Sequence, residues 1–140
     1  MASAPMHKIL VVDDDQISLK LMEKFLALAG YSVSKARNGA QALDMIARED
    51  FSLLITDVAM PRIGGLRLLE EVGKKRNHIP AIVVTASNAD SETQRKSYSV
   101  GALRFMVKPV DRDELLGAVK DILGKESEND GQGDSQRSCG

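Results

Sequence analysis

Acidic, hydroxyl and ammonium side chains stand directly after the apolar runs of this 140-residue chain. Runs that are too apolar to have one wet face are typical of parallel strands, whose carboxyl ends lie along one edge of a sheet. Ligands of open α/β sheets bind at that edge, so we expect these polar side chains to converge there. The set consists of Asp13, Asp14, Asp15, Asp57, Thr85 and Lys108.

The acidic members of this set predict a site for a hard cation and a phosphate group. Several carboxylates in one cleft repel one another unless a metal ion or an ammonium group neutralises them. An all-oxygen set without His or Cys favours Mg²⁺, which binds one or two carboxylates together with water and phosphate oxygens. Asp57 would then be a nucleophile that forms an aspartyl phosphate, while Lys108 and Thr85 hold the phosphoryl oxygens.

Continuous apolar runs predict the strands that must position these side chains. Three runs indicate strands buried on both faces, and two weaker segments complete the set. The five predicted strands are Lys8–Val12, Ser32–Ala36, Phe51–Thr56, Ala81–Thr85 and Leu103–Val107.

The segments between these strands carry apolar residues with helical spacing. The predicted helices are Ser18–Ala29, Ala40–Arg48, Gly65–Lys74, Asp90–Ser99 and Asp111–Leu123. The face predicted to be buried on the first helix consists of Leu21, Met22, Phe25 and Leu28. Asn38-Gly39 is interpreted as a loop before a helix and not as a hairpin turn, because the following residues lack strand alternation.

Strands that alternate with helices over residues 8–123 indicate an α/β protein with a doubly wound parallel sheet. We expect this domain to span residues 7–124, preceded by a flexible N-terminus at residues 1–6. Residues 125–140 lack large apolar side chains, so they are expected to be a flexible tail or the remnant of a linker.

The composition excludes several classes of function. Lys and Arg number 19 against 20 Asp and Glu, a net charge of −1, so no general attraction to nucleic acid or anionic lipid is expected. The apolar runs fall far short of the roughly 20 residues that cross a bilayer. The single cysteine, Cys139, has no partner for an internal disulfide, which suits a reducing compartment. We therefore expect a cytoplasmic protein that contacts neither nucleic acid nor membrane directly.

The segments around the polar set resemble the receiver domain of two-component response regulators, the CheY-like family. The matching segments are KILVVDDD (8–15), ARNGAQALDMI (36–46), LLITDVAMPRIGGL (53–66), AIVVTAS (81–87) and GALRFMVKPV (101–110). The resemblance covers roughly residues 7–124. It implies a flavodoxin-like (βα)5 fold with five parallel strands in the order 2-1-3-4-5.

The resemblance also implies roles for individual acidic residues. Asp57 corresponds to the phosphoacceptor, which takes a phosphoryl group from the phosphohistidine of a sensor histidine kinase or a histidine phosphotransfer protein. Asp13 and Asp14 correspond to the Mg²⁺-binding acids. They are joined in the family by the carboxylate of the phosphoacceptor and by a backbone carbonyl, which belongs to Ala59 in this chain.

Further positions correspond to the response machinery of the family. Thr85 and Phe105 resemble the switch pair, in which the hydroxyl moves toward the phosphoryl group and the aromatic ring turns inward behind it. Lys108 corresponds to the phosphate-pairing lysine, and its bond to Pro109 is expected to be cis. The implied output surface is formed by the fourth helix, fifth strand and fifth helix, which would bind a downstream protein or a second phosphorylated copy. Asp15, by contrast, is interpreted as a helix cap.

Three functions compete for these residues. The favoured one is a stand-alone receiver, a signalling switch that catalyses only its own Mg²⁺-dependent phosphoryl uptake and autodephosphorylation. The second is the N-terminal receiver of a longer regulator with a DNA-binding or catalytic output. The third is a phosphatase of the haloacid-dehalogenase type, whose Asp-x-Asp start is loosely matched by DDDQI (13–17) but which leaves the motif at Asp57 unexplained.

Overall fold

The computed structural model describes residues 7–58, 63–74, 79–86 and 90–127, with side chains up to residue 124. Within them, strands alternate with helices throughout. The strands are β1 (Lys8–Val12), β2 (Ser32–Ala36), β3 (Leu53–Thr56), β4 (Ala81–Thr85) and β5 (Ala102–Val107). The helices are α1 (Gln16–Leu28), α2 (Gly39–Arg48), α3 (Gly65–Gly73), α4 (Ser91–Ser99) and α5 (Arg112–Ser127).

The strands form one parallel sheet in the order β2-β1-β3-β4-β5, which confirms the predicted doubly wound α/β fold. The sheet therefore has β1, β3 and β4 in its interior, and every residue of β3 and β4 is buried. These are the strands whose sequences are continuously apolar, as burial on both faces requires. The register aligns the ends of β1 and β3 through the pair Val12 and Thr56, so the residues that follow them emerge side by side.

Successive residues of each strand contribute to two separate apolar layers. In β1, Ile9 and Val11 pack in the layer that contains residues of α1 and α5. Leu10 and Val12 pack in the opposite layer, with residues of α2 and α3. The sheet is thus packed between apolar layers on both of its faces.

The buried face of α1 differs from the predicted one. Met22 is buried and Phe25 packs against the core, as predicted, but the other buried residues are Leu19 and Leu26. Leu21 is 38% exposed and Leu28 is 78% exposed. The prediction was wrong for these two because α1 has apolar residues on most of its circumference, so spacing alone does not select the face that meets the sheet. Gly30 follows α1 with a φ of 100°, the left-handed conformation typical of a helix stop.

The helices and two of the strands, β3 and α5 among them, differ from their predicted bounds by one or more residues. The third strand begins at Leu53 and not at Phe51, since its pairing with β1 starts at Leu53 and Ile9. Phe51 is nevertheless buried, and the ammonium of Lys8 lies 5.3 Å from its ring centroid. The fifth helix continues to Ser127, three residues beyond the expected domain end at 124.

No helix in the described part of the chain is long and apolar enough to cross a membrane.

Replacing Leu54, which is fully buried in β3, with Ala is expected to lower the free energy of unfolding by roughly 2–5 kcal/mol, because a cavity remains in a packed layer. Leu28→Ala is the matched control, since its side chain is exposed at the end of α1. Urea unfolding followed by circular dichroism measures both. Equal losses in the two variants would contradict the assignment of these residues to the core and the surface.

Candidate functional site

Asp13, Asp57 and Lys108, three of the functional residues predicted from the sequence, lie one residue beyond the ends of β1, β3 and β5. The N–H of Asp13 donates to the carbonyl of Ala36 at 3.1 Å, and the N–H of Asp57 donates to the carbonyl of Val12 at 3.0 Å. The N–H of Lys108 donates to the carbonyl of Thr85 at 2.7 Å. The hydrogen bonds between neighbouring strands thus continue for one residue beyond the strand ends, and they fix the backbone of each of these three residues.

The ammonium of Lys108 bridges two buried carboxylates. Its Nζ lies 2.8 Å from Oδ2 of Asp13 and 3.0 Å from Oδ2 of Asp57. Asp13 is fully buried and Asp57 is 6% exposed. The bond between Lys108 and Pro109 is cis, as the resemblance implied.

The carboxylate of Asp13 is incompletely satisfied. Its Oδ1 accepts a hydrogen bond from the N–H of Asp15 at 3.0 Å. Its Oδ2 is close to the ammonium of Lys108, but this approach lies outside hydrogen-bond geometry and the atom has no hydrogen-bond donor among the described residues. A buried carboxylate oxygen in this state is suited to ligate a cation.

Burial raises the pKa of Asp13 above its ordinary value. The contact with Lys108 and the N–H of Asp15 oppose this change, and the negative charge of Asp57 adds to it. Because the net direction is upward, the charged form of Asp13 is less stable in the folded protein than in water.

Burial also acts on Lys108, and alone it would lower the pKa of the ammonium group. The close contact with the Asp13 carboxylate and the hydrogen bond that Lys108 donates to Asp57 outweigh burial, so the pKa of Lys108 is raised above its usual value. The lysine therefore stays protonated at neutral pH and holds the two carboxylates together.

The donor set fits a hard divalent cation. Asp13, Asp14 and Asp57 each offer a carboxylate oxygen, and these oxygens lie within 4.8 Å of one another. Asp14 is exposed to solvent, whereas the other two are buried. Three formal negative charges against the single positive charge of Lys108 leave an excess that Mg²⁺ would neutralise, and oxygen ligands are the ones Mg²⁺ prefers.

The predicted switch residues lie on neighbouring strands. Thr85 ends β4 and is buried, while Phe105 of β5 is half-buried and packs against the apolar layer shared with Val83. Phe105 pairs with Val83 in the sheet and Thr85 pairs with Val107, so Thr85 and Phe105 are offset by two residues along the register. Ala59, the predicted backbone ligand, lies outside the described residues.

Asp15 caps α1, as predicted. Its Oδ1 accepts a hydrogen bond from the N–H of Ile17 at 3.2 Å, and its Oδ2 accepts one from Oγ of Ser18 at 3.0 Å. The hydrogen bonds from Ser18 and Ile17 lower the pKa of Asp15. Asp15 is therefore engaged with the helix and is not part of the carboxylate cluster.

Sequence reasoning missed three residues that contact the backbone of Asp57 or of the segment that follows it. Thr56 is buried, and its hydroxyl donates to the carbonyl of Asp57 at 2.9 Å. Gly39 and Gly65 contact the segment that follows Asp57, as developed below. The available signal was a glycine directly before one predicted helix and another at the first position of the next predicted helix, where glycine has no advantage in helix propensity.

Replacing Asp13 with Asn is expected to raise the free energy of unfolding at pH 7 in metal-free buffer. The raised pKa of Asp13 means that its charge opposes folding above that pKa, whereas the protonated carboxyl carries no such penalty. The advantage of the variant should therefore shrink as the pH falls through the raised folded-state pKa. Urea titrations between pH 4 and pH 8 in EDTA measure it.

The exposed residue Asp50 provides the control for this measurement, since Asp50→Asn changes the same net charge away from the site. A less stable Asp13→Asn protein at pH 7, or a stability difference that does not change with pH, would contradict the argument.

Comparison with known proteins agrees with this geometry. The family model described as response regulator receiver domain matches residues 9–120. The chain is 34% identical over 128 residues to the response regulator MprA of Mycolicibacterium vanbaalenii, and the match covers 91% of this chain and 55% of MprA. It is 37% identical over 123 residues to the transcriptional regulatory protein GlrR of Escherichia coli K12, covering 88% of this chain and 27% of GlrR. The chain thus spans about half the length of one relative and about a quarter of the other.

Solved structures give the same result. A CheY-like receiver domain protein from Methanospirillum hungatei JF-1 superimposes with a TM-score of 0.82 at 34% identity, covering 91% of this chain and all of that one. The BeF3-activated receiver domain of DrrB superimposes with a TM-score of 0.78 at 29% identity, covering 86% of this chain and 99% of that one. The strand-end cluster, the sheet order and these matches together show that the chain belongs to the response regulator receiver domain family of two-component systems.

Proposed function

We propose that this chain is a phosphorylation-controlled switch in which Asp57 accepts a phosphoryl group from a phosphohistidine. The donor would be a sensor histidine kinase or a histidine phosphotransfer protein of the cytoplasm. The observation that carries the proposal is the shared ammonium of Lys108, 3.0 Å from Asp57 and 2.8 Å from the buried Asp13. Family membership supports the same function and leaves the phosphatase alternative without support.

The proposed transfer is a nucleophilic substitution at phosphorus. A carboxylate oxygen of Asp57 forms the new bond to phosphorus, the bond from phosphorus to the donor imidazole nitrogen breaks, and the electron pair stays on that nitrogen. Lys108 lies on the Asp57 carboxylate, so a short displacement of its ammonium would pair it with an incoming phosphoryl oxygen. Fixed charges of this kind contribute most of the catalysis in phosphoryl transfer.

Mg²⁺ fits this site as an essential cofactor. We assign its ligands to the carboxylates of Asp13, Asp14 and Asp57 and to the backbone carbonyl of Ala59. When bound, the ion would neutralise the charge of the phosphoryl oxygens and of the carboxylates that converge on them. We expect no turnover of an external substrate, so that chemistry is limited to phosphoryl uptake and autodephosphorylation.

The surface beside the site has the properties expected of a donor-binding surface. A groove of about 370 Å³ lies between α1 and the segment after β5, and Lys108 lines both the groove and the site. Ile17, which is 78% exposed, and Leu21 line its α1 side, while Val110 lines the opposite side. Because Lys108 lines the groove and also contacts the phosphoacceptor, we propose that the apolar flank of the donor's phosphohistidine helix binds here.

We assign the response to Thr85 and Phe105, and the output surface to α4, β5 and α5. Apart from Ser97, the residues of α4 are exposed or only partly buried, so few apolar contacts hold this helix in place. Tyr98 and Leu103 expose apolar area on the same surface. A weakly anchored helix that packs on β5, the neighbour of the strand ending in Thr85, is suited to shift when the site is phosphorylated, and the shift would alter binding of a downstream protein or a second copy.

Two architectures remain compatible with this function. One is a stand-alone receiver, as we expect from the sequence. MprA and GlrR are longer than the matched region, which favours a receiver joined to a DNA-binding or catalytic output domain. In both, we assign the receiver to residues 7–124 and the flanking segments, 1–6 and 125–140, to a flexible terminus and a tail or linker. The complete reading frame distinguishes the two.

Incubation with Mg²⁺ and acetyl phosphate is expected to add the mass of one phosphoryl group, because Asp57 is the nucleophile and the small donor needs no docking surface. Mass spectrometry detects the adduct, and hydroxylamine should remove it, as it does other acyl phosphates. Asp57→Ala should take up no phosphoryl group, whereas the surface variant Asp50→Asn should match the wild type. An adduct that persists in Asp57→Ala would refute the assignment of the acceptor.

Replacing Thr85 with Val is expected to separate phosphoryl uptake from the response. Valine keeps the buried shape but removes the hydroxyl, so uptake from acetyl phosphate should persist while the shift of α4 and β5 is lost. Amide chemical shifts of Tyr98 and Leu103, recorded before and after phosphorylation, measure the response. Shift changes as large as those of the wild type would show that the hydroxyl of Thr85 does not transmit the signal.

A further inference from the structure

The first residue of α2 and the first residue of α3 are both glycines that bind the segment following Asp57. The N–H of Gly39 donates to the carbonyl of Ile63 at 3.2 Å. The N–H of Gly65 donates to the carbonyl of Val58 at 3.1 Å. N–H groups in the first turn of a helix have no partner inside the helix, so each helix contributes a free donor to this segment.

The backbone approaches at both glycines are too close for any side chain. A Cβ atom on Gly39 would lie 2.4 Å from the carbonyl oxygen of Ile63 and 2.6 Å from its Cγ2. A Cβ atom on Gly65 would lie 2.0 Å from the carbonyl oxygen of Asp57. Neither glycine has a positive φ, so glycine is required at these positions for space and not for backbone conformation.

These contacts act on the two ends of the segment 57–65, which we name the acceptor loop. Gly65, at the end of the loop, donates a hydrogen bond to the carbonyl of Val58 and packs closely against the carbonyl of Asp57, so the end of the loop is joined to its beginning. Gly39 fastens the end of the loop, at Ile63, to the N-terminus of α2. The carbonyl of Asp57 also accepts the hydroxyl of Thr56, so the backbone of the acceptor residue is held on two sides.

We infer that Gly39 and Gly65 are positioning residues of the phosphoacceptor site, which hold the acceptor loop at Val58 and Ile63 and thereby keep the carboxylate of Asp57 where it can ligate a cation together with Asp13 and Asp14. This inference rests on the proposed function. It adds α2, an element with no residue in the carboxylate cluster, to the parts of the chain that determine Mg²⁺ affinity. If the glycines served only close packing, their replacement would change stability and leave metal binding by the folded protein intact.

The experiment compares Gly39→Ala with Gly73→Ala in the full chain. Gly73 ends α3, and an added Cβ atom would have no neighbour within 4 Å, so the control carries the same chemical change without the clash. Three quantities are measured: the free energy of unfolding in urea, the Mg²⁺ dissociation constant by amide chemical-shift titration, and the rate of phosphoryl uptake from acetyl phosphate at saturating Mg²⁺.

In folded Gly39→Ala we expect Mg²⁺ binding to weaken about 10-fold or more, the effect typical of residues that orient metal ligands, together with slower phosphoryl uptake. Gly73→Ala should match the wild type in both. A folded Gly39→Ala protein whose Mg²⁺ affinity and uptake rate equal those of Gly73→Ala overturns the inference. Gly65→Ala should show a larger effect in the same direction, because its clash with the backbone of Asp57 is more severe.

Ile63→Ala decides the matter if neither glycine variant folds. This variant keeps the carbonyl of residue 63, which accepts the hydrogen bond from Gly39, but it removes most of the Ile63 side chain that packs beside Gly39. The acceptor loop is therefore loosened without a clash. Weakened Mg²⁺ binding in this folded variant supports the inference, and unchanged binding overturns it. A wild-type protein that binds Mg²⁺ but takes up no phosphoryl group would refute the proposed function and leave the positioning role testable through Mg²⁺ affinity.

Discussion

The geometry of the site depends on a single ammonium group placed between two buried carboxylates. Without Lys108, Asp13 and Asp57 would face each other across the open edge of the sheet with nothing positive between them among the described side chains. Burial disfavours charge on Asp13, and the lysine opposes that effect only in part, as the raised pKa of Asp13 indicates. The folded chain therefore holds a site that is short of positive charge, and a divalent ion and a phosphoryl group are ligands that would complete it.

The rest of the fold serves to hold that arrangement still. Asp13, Asp57 and Lys108 come from three different strands, and a change of register between any two strands would separate their charged atoms by several ångströms. Apolar layers on both faces of the sheet oppose such a change. The two N-terminal glycines, Gly39 and Gly65, extend the same constraint from the sheet to the loop that leaves Asp57.

Much of this could be predicted from the sequence, because strongly patterned segments have few alternatives. The pure apolar run of β4 has the predicted bounds, Ala81–Thr85, and the predicted residues follow the strands at one edge. The buried face of α1 could not be predicted, since Leu19 and Leu21 are equally apolar and only the position of the sheet distinguishes them. The glycine contacts were also beyond prediction, because the hydrogen bond from Gly39 to the carbonyl of Ile63 joins residues 24 positions apart in the sequence.

Asp13, Asp57 and Lys108 each lie one residue beyond the end of a strand, and the backbone N–H of each donates a hydrogen bond to a neighbouring strand. Under the proposed function, phosphoryl chemistry would be a property of the sheet, and partner recognition would be a property of the surrounding helices. Substitution of the exposed residues of α1 or α4, in evolution or by design, would then change the partner specificity of the domain and leave the strand-end residues of the reaction unchanged. A family built in this way can diversify its circuits without having to reinvent its chemistry.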